Sequence, residues 1–144
     1  MQEQNYANHR QFVPTYHFVL LSVLILTLIG SVINLYKSYV RHSHVYAAAL
    51  IVVLVFISAV LFYYCREFAL VAQDRAIRAE ENLRHYVLTG KLLDPRLNIR
   101  QIIALRFSSD EEFPELATRA AEESLIPDTI KQAIKHWRAD THRV

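Results

Sequence analysis

Two long stretches without a charged side chain constrain this chain more than anything else in it. Gln11 to Tyr36 contains no Lys, Arg, Asp or Glu, and His42 to Cys65 contains none either. Charge in hydrocarbon is costly, so apolar runs of this kind read as membrane spans. The first core is Phe18 to Tyr36, about 28 Å long as a helix, and the second is Val45 to Tyr64, about 30 Å. Both match a bilayer core of about 30 Å. Tyrosines cluster where the runs end: Tyr16, Tyr36, Tyr39, Tyr46, Tyr63 and Tyr64. A ring with one wet end belongs at a membrane–water boundary.

The first run is longer than the core of a signal peptide and no small-residue cleavage site follows it, so it reads as an uncleaved span. Orientation follows from the flanking cations. Arg10, Arg66, Arg75, Arg78 and Arg84 lie on the side shared by both termini, against Lys37 and Arg41 in the connecting loop. Five against two places both termini in the cytoplasm, with Lys37 to His44 as the loop on the other side.

The remainder, 66–144, carries 13 basic and 13 acidic residues. That balance leaves no basic excess for nucleic acid. Arg66 to Thr89 contains no Gly or Pro and continues the second span as a helix, with Gly90 as its stop. Ala69, Ala72, Ala76, Ala79, Leu83 and Tyr86 recur at spacings of 3 and 4, a coiled-coil-like seam. The simpler expectation packs this seam on later helices of the same chain, and the alternative packs it on a second copy. The other face carries acid-first pairs, Asp74 with Arg78 and Glu80 with Arg84. Asn98 with Gln101 forms a capping box for a short helix through Phe107. A second helix starts near Pro114 and ends near Ser124. A last one starts at Pro127 with Ile130, Ala133, Ile134 and Trp137 on its inner face.

The expected fold is therefore all-α. Residues 1–15 form a tail, 16–65 a transmembrane helical hairpin, and 66–144 a small cytoplasmic helical bundle continuous with the second span. Candidate chemistry is sparse. Two glycines exclude most glycine-rich nucleotide loops, and one cysteine cannot build a zinc cluster of thiolates. His42 and His44 give two metal ligands at most. Glu81 and His85, one helical turn apart, are the one spacing suited to a metal or an acid–base pair. In the first span Thr27, Gly30, Ser31 and Asn34 share a small, polar face suited to packing against the second span. No catalytic, metal or cofactor site is expected. Neither span core holds an ionisable group, which argues against transport by this chain alone.

The run Gln73-Asp74-Arg75-Ala76-Ile77-Arg78-Ala79-Glu80-Glu81-Asn82-Leu83-Arg84-His85 resembles the signature stretch of a family of small bacterial two-span membrane proteins catalogued only as a domain of unknown function. The similarity extends to the N-terminal Gln4 to His9 and to Leu105 through Glu112. The resemblance implies a protein of the bacterial cytoplasmic membrane and supplies no activity. The leading expectation is a non-enzymatic membrane-anchored interaction or accessory protein, held in the bilayer and bound to a protein partner or to further copies of itself. Its candidate interaction face is the exposed charged side of the long helix, Asp74, Arg75, Arg78, Glu81, Arg84 and His85. An accessory subunit of a transport system, using the Thr27 to Asn34 face, is the second reading. A metal-dependent enzyme using Glu81 and His85 is the third.

Overall fold

The computed structural model describes residues 5–6 and 13–139. The tail expected over 1–15 lies mostly outside them, and the polar end 140–144 lies wholly outside. A π-helical segment, Thr15–Leu20, runs into α1, Leu21–Val40. Then follow α2, Val45–Thr89, and three short helices: α3, Ile99–Leu105; α4, Phe113–Glu122; and α5, Pro127–Ala133. The fold is all-α, and the described residues contain no β-strand. The chain divides into two compact units at Ala69 and Leu70, inside α2.

In the first unit two helices are long and apolar enough to cross a membrane: Thr15–Val40 and the N-terminal part of α2. Each keeps most of its apolar surface open, with only 6% and 11% of the most apolar windows buried. That is the opposite of a helix in the core of a soluble protein. What is shielded forms a narrow stripe. Leu24, Ser31, Leu35 and Ser38 supply it from α1, and Ala48, Val52, Val55, Ala59 and Phe62 from α2. Both rows step by 3, 4 or 7, the spacing of a two-helix seam. Tyr16 closes one end. Its ring stacks on Phe62 at 4.3 Å and its hydroxyl donates to the Phe62 carbonyl oxygen.

The expected packing face of α1 is corrected here. Ser31 is buried, whereas Thr27, Gly30 and Asn34 are exposed and lie beside the stripe. The hydroxyls of Thr27 and Ser31 donate to their own helix, to the Val23 and Leu28 carbonyl oxygens at 2.8 Å each. The larger Leu24 and Leu35 are half-buried and share the stripe with Ser31. The loop is also shorter than expected. Helix α1 continues through Lys37 to Val40, so only Arg41 to His44 connect the pair. The turn uses two positive backbone angles, φ 51° at His42 and 57° at His44. Histidine is among the side chains enriched in that left-handed region.

The second unit forms around the C-terminal part of α2. Gly90, at φ 73°, ends the helix, and its N–H donates to the Tyr86 carbonyl oxygen at 2.8 Å. The capping box that opens α3 is complete. Gln101 N–H donates to Asn98 Oδ1 at 3.0 Å, and Asn98 N–H to Gln101 Oε1 at 2.9 Å. The Gln101 amide then reaches the Leu125 carbonyl oxygen at 2.8 Å, tying α3 to the turn before α5. Pro114 stands in the first turn of α4 and Pro127 opens α5, where a missing N–H costs nothing. Ile77, Leu97, Ile102, Leu105, Phe107, Phe113, Ala120 and Ile130 lead the core.

Helix α5 stops at Ala133, so Trp137 is not on its face. Ile134 turns extended, at ψ 123°, and the chain returns as a strap. Arg138 N–H donates to the Phe107 carbonyl oxygen at 2.7 Å, and Ser109 N–H to that of His136 at 3.0 Å. The strap brings Trp137 onto Phe107, ring centroids 5.3 Å apart. Backbone pairing with 107–109 replaces the helical bonds that a longer α5 would make.

Candidate functional site

The charged run on α2 is the densest chemistry in the chain, and the fold sorts it by helical phase. Residues at steps of 3 and 4 from Ile77 meet the bundle: Glu81, Arg84 and His85. Arg75 and Arg78 point outward, and Asp74 is half-buried. The expected exposed charged face is therefore two faces. Glu81, only 5% exposed, belongs to the packed one.

Arg84 is the centre of a latch. Its Nη1 donates to Glu81 Oε2 at 3.0 Å, its Nε to Asp110 Oδ1 at 2.7 Å, and its Nη2 to the Ser108 carbonyl oxygen at 2.7 Å. The guanidinium also lies over the Phe113 ring, 4.3 Å from its centroid. The second oxygen of Glu81 faces Arg138 of the strap at 3.8 Å. One guanidinium thus joins α2, the turn after α3 and the start of α4, which its planar fork of donors suits. The i,i+4 pair expected between Glu80 and Arg84 is replaced by the i,i+3 pair with Glu81, because Arg84 turns inward.

The neighbours complete the attachment. Asn82 Oδ1 accepts from Leu93 N–H at 3.0 Å. His85 Nδ1 lies 2.7 Å from the Lys91 carbonyl oxygen, so that nitrogen carries the proton. Its ring meets Phe113 edge-on at 5.8 Å. Glu112 Oε2 accepts from Lys135 N–H at 3.1 Å and holds the strap. Glu81 and His85 consequently serve different partners, a guanidinium and a backbone carbonyl. Among the described residues no three His, Cys, Asp or Glu side chains gather as a metal cage. The arrangement neutralises and orients charge, and its bonds are structural.

Sequence reasoning found Glu81, Arg84 and His85 but not Ser108, Asp110, Phe113 and Arg138. The signal available was the i,i+3 spacing of Glu81 and Arg84; their distant partners carry no local mark.

The opposite face of α2 reverses another expectation. Of the expected seam, Ala69 is half-buried, whereas Ala72, Ala76, Ala79, Leu83 and Tyr86 do not pack on the later helices and are exposed, Leu83 by 63%. The bundle attaches through Ile77, Glu81 and Arg84, about half a turn round the helix from this seam.

Compared with known protein families, residues 1–144 match a family of unknown function, DUF6526. The chain belongs to that family. The match covers the long helix with its latch and its seam together with both apolar helices. No curated protein matches the chain, and no solved structure does.

Proposed function

We propose that this chain is a non-enzymatic interaction protein of the bacterial cytoplasmic membrane, with both termini in the cytoplasm, that associates in parallel with a second copy of itself through α2. The exposed seam carries the reading. With Ala76 and Leu83 as heptad positions a, and Ala72, Ala79 and Tyr86 as d, Arg75 falls at g and Glu80 at e. In a parallel pair, g of one helix meets the following e of its partner, so Arg75 faces Glu80. Both are exposed in the single chain.

Two further observations support it. The apolar helices of the first unit leave most of their surface uncovered, as lipid-facing helices do. Two copies anchored in one membrane by the same hairpin also emerge in the same direction, the orientation the Arg75 and Glu80 pattern needs. The latch residues Glu81 and Arg84 are committed to holding the bundle, which leaves the seam as the free surface.

Cysteine cross-linking in native membranes tests the reading, in a Cys65→Ser background that removes the only native thiol. Ala79→Cys, at position d, is expected to form a disulfide-linked dimer, whereas Arg78→Cys, on the adjacent outward position, is not. Arg75→Glu should weaken the Ala79→Cys cross-link, and adding Glu80→Arg should restore it. Equal cross-linking at 78 and 79, or none at 79, overturns the parallel seam.

A further inference from the structure

The loop end of the hairpin holds a cavity of about 430 Å³ between the end of α1 and the start of α2. Asn34, Lys37, Ser38, Arg41 and His44 line it, and Ala47 and Ala48 add short side chains that leave the space open. We propose that this cavity binds the phosphate of an anionic phospholipid headgroup. The inference rests on the membrane reading above.

Charge carries the argument. Lys37 and Arg41 are the only Lys or Arg residues from Gln11 to Cys65, and no Asp or Glu occurs from Gln4 to Arg66. The nearest carboxylate along α2, Glu67, lies 22 residues beyond Val45, about 33 Å away along the helix. Among the described residues no carboxylate pairs with either cation. Among the described residues the two cations therefore share a concave site with no carboxylate beside it, an arrangement open to an anion from outside the chain. Asn34, Ser38 and His44 add further hydrogen-bonding groups, the complement that a phosphodiester needs beside two cations.

Depth selects the source. Tyr36, Tyr39 and Tyr46, all exposed, interleave with the lining residues at this end of the hairpin. Exposed tyrosines of that kind mark headgroup level. A lipid phosphate is already concentrated there.

The test uses the full chain in mild detergent, loaded with equal amounts of phosphatidylglycerol and phosphatidylcholine and read by native mass spectrometry. Wild type is expected to retain phosphatidylglycerol in preference. Lys37→Gln with Arg41→Gln is expected to lower that affinity about 30-fold, about fivefold for each cation lost, without changing phosphatidylcholine binding. Unaltered far-UV circular dichroism confirms that the variant keeps its helices. Equal retention of both lipids, or an undiminished adduct on the variant, overturns the site. Displacement of the lipid by excess inorganic phosphate overturns the lipid as the source. Flotation of the wild type with vesicles is scored separately: its failure breaks the membrane reading and not the phosphate chemistry.

Discussion

Replacing Arg84 with Met removes the guanidinium while keeping an unbranched side chain of similar length. The side chains of Arg84 and Glu81 are 10% and 6% exposed, so this is a buried pair. In Arg84→Met the Glu81 carboxylate stays inside with only Arg138 near it, at 3.8 Å from a side chain 55% exposed. Breaking a buried pair by removing one partner costs about 3–5 kcal/mol, against about 0.2–1 kcal/mol for an exposed pair. The Ser108 carbonyl oxygen also loses its donor, about 1 kcal/mol. The expected loss for Arg84→Met is about 4 kcal/mol. Glu81→Met leaves Arg84 its bonds to Asp110 and Ser108, so about 2 kcal/mol is expected there. The double replacement removes both charges together and should cost about 1 kcal/mol, because apolar isosteres of a buried ion pair are close to neutral. Trp137 is the only tryptophan and packs on Phe107 of the core, so its emission during urea unfolding in detergent reports the bundle. A double variant as unstable as the sum of the singles refutes the coupling. An Arg84→Met loss below about 1 kcal/mol places the pair among ordinary surface contacts.

Asn98→Ala removes the cap of α3 and should cost about 1 kcal/mol, read from the same unfolding curves. Its effect should add to that of Arg84→Met if the two sites are independent. The turn before α3 makes a pH prediction. Hydrogen bonds from the Arg96 side chain and N–H hold the Asp94 carboxyl down at about 2, from an ordinary 3.8. A lowered carboxylate contributes stability above its unfolded value and loses it as pH falls through the folded one, so this turn loosens on acidification from about 4 to about 2. An NMR titration of the Asp94 side chain should give that low midpoint, and Arg96→Gln should return it toward the ordinary value. An unmoved midpoint in Arg96→Gln rejects the assignment.

What the sequence made legible was governed by locality. The Asn98 and Gln101 box, the Gly90 stop and the Pro127 start each depend on residues within one turn, and all three stand in the structure. The two apolar helices were legible because exclusion of charge needs no partner. The end of α5 was not, because the chain leaves the helix at Ile134 so that His136 and Arg138 can pair with Ser109 and Phe107, more than twenty positions earlier. The packed face of α2 was hidden for a different reason. Its contacts are Glu81, Asn82, Arg84 and His85, side chains that a hydrophobic period assigns to water. Ile77 is the one buried apolar residue in that stripe; Leu70 is half-buried seven positions earlier and Leu88 is exposed, too sparse a set to make a period.

The result is a helix whose C-terminal part packs Glu81 and Arg84 against its own bundle and exposes Leu83, Tyr86 and three alanines. Buried charge is tolerable here because each group is bonded, Glu81 to Arg84 and Arg84 to Ser108 and Asp110. Exposed apolar surface has no such internal remedy; it needs a cover. The proposed second copy supplies one that fits the other constraints. The bundle attaches half a turn away and leaves the seam unobstructed. Alanines at 72, 76 and 79 allow close approach, and the larger Leu83 and Tyr86 add apolar area toward Thr89, beyond which the heptad pattern ends. Anchoring in a common membrane, as proposed, would remove the antiparallel arrangement, in which Arg75 would not oppose Glu80. On the proposed reading the polar latch and the apolar seam divide the helix: Glu81 and Arg84 hold the chain's own bundle, and the apolar stripe meets another copy.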